Sequence, residues 1–197
     1  MAVTGASNVT GYLPPIYILA EMAHSVGARI LVDAAQLAPH RPIWVRPATD
    51  PRHLDFLAFS GHKMYAPFGA GVLLGPKWLF SQGAPSQVGG GTVKTIDSEN
   101  IRWVDPPDVE EAGSPNVLGA LAIAESCKVY NKIGWQKLID HEQQLLEATL
   151  LGLKKIPGIT VYHETTTQRV GVVSFNVAGV HHQIVAEALA EYRIGVR

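Results

Sequence analysis

The chain has 197 residues, 47% of them hydrophobic and 17% charged, with a formal net charge of −1. That balance argues against a nucleic-acid-binding surface or a polybasic membrane patch, and no apolar run is long enough to span a bilayer. The length suits one domain or two small ones, and the single cysteine, Cys127, allows no intrachain disulfide, which agrees with a reducing, cytoplasmic setting.

In chain order, residues 1–4 read as the tail of a strand, and the N-terminal stretch shows no charged n-region followed by an apolar h-region, so no secretory signal is visible. Pro14 and Pro15 suit a helix start, and Ile16, Leu19, Ala20, Ala23 and Val26 recur at helical spacing before Gly27 closes the turn. An apolar strand over 29–32 then ends at Asp33, and this strand–helix–strand order predicts a parallel sheet with helices on its faces. Pro39, Pro42, Pro47 and Pro51 break up the connection to a second buried strand over 56–59, and residues 72–74 form a returning strand. Residues 81–116 show little periodicity and many Gly and Pro, so a long loop facing a second subunit is expected there. From Asn116 a helical region runs to a break near Gly134 and resumes through Trp135, Leu138, Ile139, Leu145, Leu146, Leu150 and Leu153. Strands over 159–162 and 170–176, a helix over 183–192 and a strand over 194–197 complete the reading. The fold class is α/β, with a partial large domain over 1–133 and the start of a smaller α+β C-terminal domain over 134–197.

Two of these strands end in residues that carry chemistry. The first delivers Asp33 and, three residues on, Gln36; the second leads through Ser60-Gly61-His62 to Lys63. Ligands of open α/β sheets bind outside the carboxyl ends of the strands, so both segments reach one edge. An amine and a carboxylate there are what pyridoxal phosphate chemistry requires, the lysine joining the cofactor aldehyde and the carboxylate keeping the pyridine nitrogen protonated. Taken singly, a lysine after a strand is a solvated loop residue and an aspartate at a strand end is a turn former or helix cap. Their joint occurrence in this order carries the reading.

Other motifs carry less. Gly89-Gly90-Gly91 by itself is weak evidence, since glycine runs are more often flexible turns than phosphate cradles, and Gly61-His62-Lys63 lacks the upstream glycine and the downstream Ser or Thr of a phosphate loop. Cys127 lies in a helical stretch rich in small residues, where a buried, unreactive thiol is expected. His181 and His182 are adjacent and point apart, while His24, His40, His53, His141 and His163 are scattered, so loop or cap roles and no metal site are expected.

The segment Ser60-Gly61-His62-Lys63-Met64-Tyr65, preceded by Val32-Asp33-Ala34-Ala35-Gln36, resembles the class V aminotransferase family, and within it the cysteine desulfurases. The resemblance extends to Ala6-Ser7-Asn8-Val9-Thr10-Gly11, Val88-Gly89-Gly90-Gly91, Glu111-Ala112-Gly113-Ser114-Pro115-Asn116 and Ile194-Gly195-Val196-Arg197, which together span the chain. It implies fold type I, the aspartate aminotransferase-like architecture, with pyridoxal 5'-phosphate as cofactor. It implies Lys63 as the lysine bound to the cofactor, Asp33 as partner of the ring nitrogen, and Gln36 as donor to the ring hydroxyl oxygen. Ser60 and His62 would contact the phosphate, Asn8 the ring hydroxyl and the substrate carboxylate, and Gly91 and Ser114 the phosphate region of the partner subunit. An amino-acid substrate, a homodimer and a sulfur acceptor protein are the implied partners, with L-cysteine giving L-alanine and an enzyme persulfide. The same residues serve transaminases, epimerases and lyases of the family. Both ends read as cut, so the chain is expected to be an internal fragment, with the nucleophilic cysteine shortly after Arg197. A catalytically silent truncated chain is the remaining expectation.

Overall fold

The computed structural model spans residues 1–197 and is described for all of them except 164–167. The chain divides into two compact units, one of residues 1–5 and 15–132, the other of residues 6–14 and 133–197.

In the first unit, β1 (Ala2–Thr4), β2 (Leu31–Asp33) and β3 (Phe56–Ser60) lie parallel, and β4 (Gly71–Leu74) returns antiparallel to β3. Val3, Val32 and Leu57 stand in register across the three parallel strands. Helix α1 (Ile16–Ser25) makes the crossover and buries Ile16, Ala20 and Ala23, while Ile30, Val32, Leu54 and Leu57 are buried in and beside the sheet. Each large apolar side chain so removed from water contributes roughly 1.5–3 kcal/mol. The helix ends where expected: Gly27, at φ +71°, lets its own N–H reach the carbonyl of His24 and the Ala28 N–H reach that of Ala23. β2 starts later than the apolar run, because the N–H of Ile30 donates to Asp55 Oδ2 at 2.9 Å instead of joining a ladder.

The long loop expected over 81–116 is corrected. A short helix α2 (Lys77–Phe80) precedes it, and β5 (Val93–Ile96) and β6 (Ile101–Trp103) form an antiparallel hairpin within it. Asp97 makes the turn, its Oδ1 accepting from the N–H groups of Glu99 and Asn100. A 3-10 turn at Asp108–Glu110 leads to α3 (Val117–Ile133).

The second unit contains α4 (Trp135–Lys154), β7 (Ile159–Val161), β8 (Phe175–Val177) and α5 (His182–Glu191). Leu146 and Leu150 pack with Val161 to form its core, and β7 and β8 pair antiparallel. The strand expected over 170–176 is confined to its end, because Val170 donates to the carbonyl of Gly11 and Val172 to that of Val170. Nor does a strand form over 194–197: Arg193, at φ +60°, closes α5, with Ile194 N–H bonding back to the Leu189 carbonyl. Among the described residues no helix is long and apolar enough to cross a membrane.

Candidate active site

β2 and β3 end side by side. Asp33 is in register with Ala58, and the Ala34 N–H donates to the Ala58 carbonyl at 2.7 Å, so the segments that follow both strands leave the sheet at one edge. The exposed Asp33 carboxylate accepts from the Ala35 N–H at 2.9 Å, which turns the chain and sets Gln36 half-buried beyond it.

After Ser60 the backbone enters a 3-10 turn, Gly61–Met64, closed by Tyr65 at φ +61° and by the Ala66 N–H on the Gly61 carbonyl. Packing explains the glycine. Its N–H donates to the Ala70 carbonyl at 2.8 Å, and a Cβ there would lie 2.8 Å from Ile123 Cγ1. Met64 is buried, and its carbonyl accepts from the Ser126 hydroxyl. The turn is therefore pinned on both sides while Lys63 between them remains half-buried. Lys63 Nζ donates to Gln36 Oε1 at 3.0 Å, and the Gln36 amide nitrogen lies 3.3 Å from His40 Nε2.

The structure thus brings Lys63 and Gln36 into contact, with Asp33 at the same strand-end edge. Ser60 is the last residue of β3 and His62 is exposed within the turn, so they flank the lysine in the chain. Asn8 belongs to the second unit, exposed in a turn whose Ser7 hydroxyl accepts from Val9 and Thr10, and it lines a cavity with Ser174, Asn176, His182 and Arg197. The segments of Gly91 and Ser114 meet through Gly113 N–H on the Gly90 carbonyl, at 2.8 Å. Among the described residues neither Gly91 nor Ser114 shares a hydrogen bond with Lys63. Cys127 is half-buried within α3.

Several contributors were not singled out from sequence. Tyr65 is 87% exposed immediately after the lysine turn, Ser126 anchors the turn through the Met64 carbonyl, and His40 holds the amide of Gln36. The Gly61 step was part of the motif, but the crowding by Ile123 depends on a helix more than sixty residues away.

The scattered placement expected for His24 and His53 is also corrected. Both converge on Asp55, with His24 Nε2 at 2.9 Å from Oδ2 and His53 Nε2 at 3.4 Å from Oδ1, and the two rings stack at 4.1 Å. The hydrogen bond to Asp55, helped by the Pro51 carbonyl, raises the His24 pKa above its ordinary value. Burial pushes Asp55 upward, yet the hydrogen bonds from His24 and the Ile30 N–H outweigh it, and the carboxyl titrates below the usual range. The signal in the sequence is His53-Leu54-Asp55, two residues apart on one face of an extended segment.

The model of the aminotransferase class-V family matches residues 1–197. A "Probable cysteine desulfurase" of Halobacterium salinarum is 37% identical over 191 residues, 97% of this chain and 45% of that one. A cysteine desulfurase of Shigella flexneri is 35% identical over 198 residues, covering 100% and 47% of the two. The apo structure of a cysteine desulfurase from Thermococcus onnurineus NA1 matches with a TM-score of 0.91 at 35% identity, over 100% of this chain and 48% of that one. The chain spans about half the length of the curated relatives it matches.

Proposed function

Because the chain belongs to the class-V aminotransferase family, with the fold type I architecture that family implies, we propose that it supplies the cofactor lysine of a pyridoxal 5'-phosphate enzyme of the cysteine desulfurase type. The observation that carries this reading is the Lys63 amine hydrogen-bonded to Gln36 across two adjacent strand ends, with Asp33 at the same edge. The likeness to cysteine desulfurases at 35–37% identity supports the reaction class.

The donor set fits the cofactor. Lys63 offers an amine for the aldehyde, Asp33 a carboxylate for the ring nitrogen, Gln36 an amide for the ring hydroxyl, and Ser60 and His62 a hydroxyl and an imidazole for the phosphate. When bound, pyridoxal phosphate supplies an electron-poor ring that takes up charge from the substrate's α-carbon. Asp33 holds the proton on the ring nitrogen, and Lys63 removes and returns a proton at the α-carbon. Gln36 orients the Lys63 amine, since its Oε1 accepts from Nζ while its amide nitrogen is held by His40. Asn8 is assigned to the ring hydroxyl and substrate carboxylate, and Gly91 and Ser114 to the phosphate of a partner subunit in a homodimer. Residues 1–133 are assigned to part of the cofactor domain and residues 134–197 to part of a smaller domain, with the segment 6–14 clustering with the latter. The substrate is L-cysteine, which yields L-alanine and a persulfide whose sulfur passes to an acceptor protein. Cys127, half-buried in the middle of α3, is not assigned as the thiol that receives it.

Titration of the full chain with pyridoxal 5'-phosphate tests the assignment. A visible absorbance band is expected, absent in Lys63→Ala, and borohydride reduction is expected to fix the cofactor mass on the peptide containing Lys63. A band undiminished in Lys63→Ala, or label on another lysine, overturns it. L-cysteine is expected to perturb the band at lower concentration than L-aspartate or L-serine; the reverse order favours a different reaction of the family.

A further inference from the structure

The cluster of His24, His53 and Asp55 lies outside this chemistry. His24 comes from the last turn of α1, His53 from the loop before β3, and Asp55 from the residue preceding β3. Their potential ligand atoms all lie within 4.8 Å of one another.

Hydrogen bonding fixes the tautomers. His24 Nδ1 is 2.6 Å from the Pro51 carbonyl and His53 Nδ1 is 2.7 Å from the Asp50 carbonyl. A carbonyl oxygen only accepts, so each Nδ1 carries the hydrogen, and each neutral ring is left with its lone pair on Nε2. Both Nε2 atoms face the Asp55 carboxylate, which is also an acceptor. Three lone pairs that converge attract a cation, and a proton on His24 Nε2, which completes its 2.9 Å hydrogen bond to Asp55 Oδ2, is the smallest that fits. A single proton serves one imidazole–carboxylate pair and leaves the other unmatched, whereas protons on both rings place two positive charges in a stack at 4.1 Å.

We propose that His24 Nε2, His53 Nε2 and an Asp55 carboxylate oxygen bind one divalent first-row transition-metal ion of the zinc type. Two imidazoles and a carboxylate suit zinc, with the remaining coordination position open to water. The surroundings match such a site, since each histidine donates its other ring N–H to a backbone carbonyl and the Ile30 N–H orients the carboxylate. Joint ligation requires the stacked rings to fan apart, and the side chains, 17% and 19% exposed, have a solvent side on which to turn. The five residues of β3, rising about 3.3 Å each, put roughly 16 Å between this end of the strand and the Lys63 end. The ion therefore acts as a clip that joins the end of α1, the preceding loop and β3, and takes no part at the amine.

The test is calorimetric titration of the tag-free full chain with Zn²⁺, alongside His53→Gln, Asp55→Asn and a His181→Gln/His182→Gln double variant. The double variant removes the other adjacent imidazole pair, whose rings lie 4.1 Å apart. Saturable binding of one ion per chain is expected, weakened at least about tenfold in His53→Gln and Asp55→Asn and unchanged in the double variant. His53→Gln keeps the His24–Asp55 pair, and a far-UV circular dichroism spectrum matching the wild type's reports that it folds. Co²⁺ in place of Zn²⁺ is expected to give visible ligand-field bands that Zn²⁺ abolishes. No saturable binding to the wild-type chain, binding undiminished in a folded His53→Gln, or loss of binding in the double variant instead overturns the site.

Discussion

Gly61 shows how little room the turn that presents Lys63 has. A Cβ at this position would meet Ile123 Cγ1 at 2.8 Å and the Ala70 carbonyl oxygen at 2.9 Å. The isoleucine can shift by a few tenths of an ångström, but the carbonyl belongs to the hydrogen bond that anchors the turn, Gly61 N–H to Ala70. Overpacking of this kind costs about 1–3 kcal/mol, so Gly61→Ala is expected to lower the urea midpoint without a change in slope. An unchanged midpoint would show that Ile123 yields freely. The motif around Lys63 was legible in sequence because its members lie in two short runs. Its supports were not: Ser126 reaches the Met64 carbonyl from α3, and no local pattern marks a serine for that contact.

At the scale of elements, the helices could be read and the short strands only in part. α1 and α4 announce themselves by apolar spacing and by Gly27 and Gly134 at their borders. The hairpin of β5 and β6 escapes a reading of periodicity because its alternation covers only four and three residues, between Gly89-Gly90-Gly91 and Pro106-Pro107. Residues 170–176 and 194–197 have the apolar character of strands, but the first N–H of each is claimed elsewhere, that of Val170 by the Gly11 carbonyl and that of Ile194 by the α5 closure. That closure gives a paired prediction. α1 and α5 end in the same hydrogen-bond pattern, α1 on Gly27 at φ +71° and α5 on Arg193 at φ +60°. A Cβ at Gly27 meets nothing within 4 Å, so Gly27→Ala exposes the backbone cost alone, about 1 kcal/mol of lost stability. Arg193→Gly is the mirror experiment and is expected to gain up to about 1 kcal/mol, since it relieves the same conformation. Thermal melts that move the two variants in the same direction would contradict the shared mechanism.

For the whole molecule, the α/β class and the family were legible, because both depend on element order and on motifs within short runs. Residues 6–14 join the second unit through contacts that span most of the chain, Leu13 N–H to the Gln168 carbonyl and Ser174 to the Val9 carbonyl. Periodicity carries no information at that separation. The same blindness applies to surfaces, where the structure adds a quantitative expectation. Val117, Leu118 and Leu121, all more than half exposed, lie within the first two turns of α3. Three large apolar side chains grouped on one helix are not the isolated exposures that a monomer tolerates at no cost. Covering each would contribute roughly 1.5–3 kcal/mol, enough to drive association of a 21.2 kDa chain at micromolar concentration when shape permits. Light scattering after size exclusion is therefore expected to give a mass of at least twice 21.2 kDa, falling toward that value in Leu118→Glu/Leu121→Glu. These side chains are exposed in the folded chain, so the substitutions leave its helical circular dichroism intact. A monomeric wild type at all concentrations would overturn the expectation, and a double variant that associates as before would place the contact on another face.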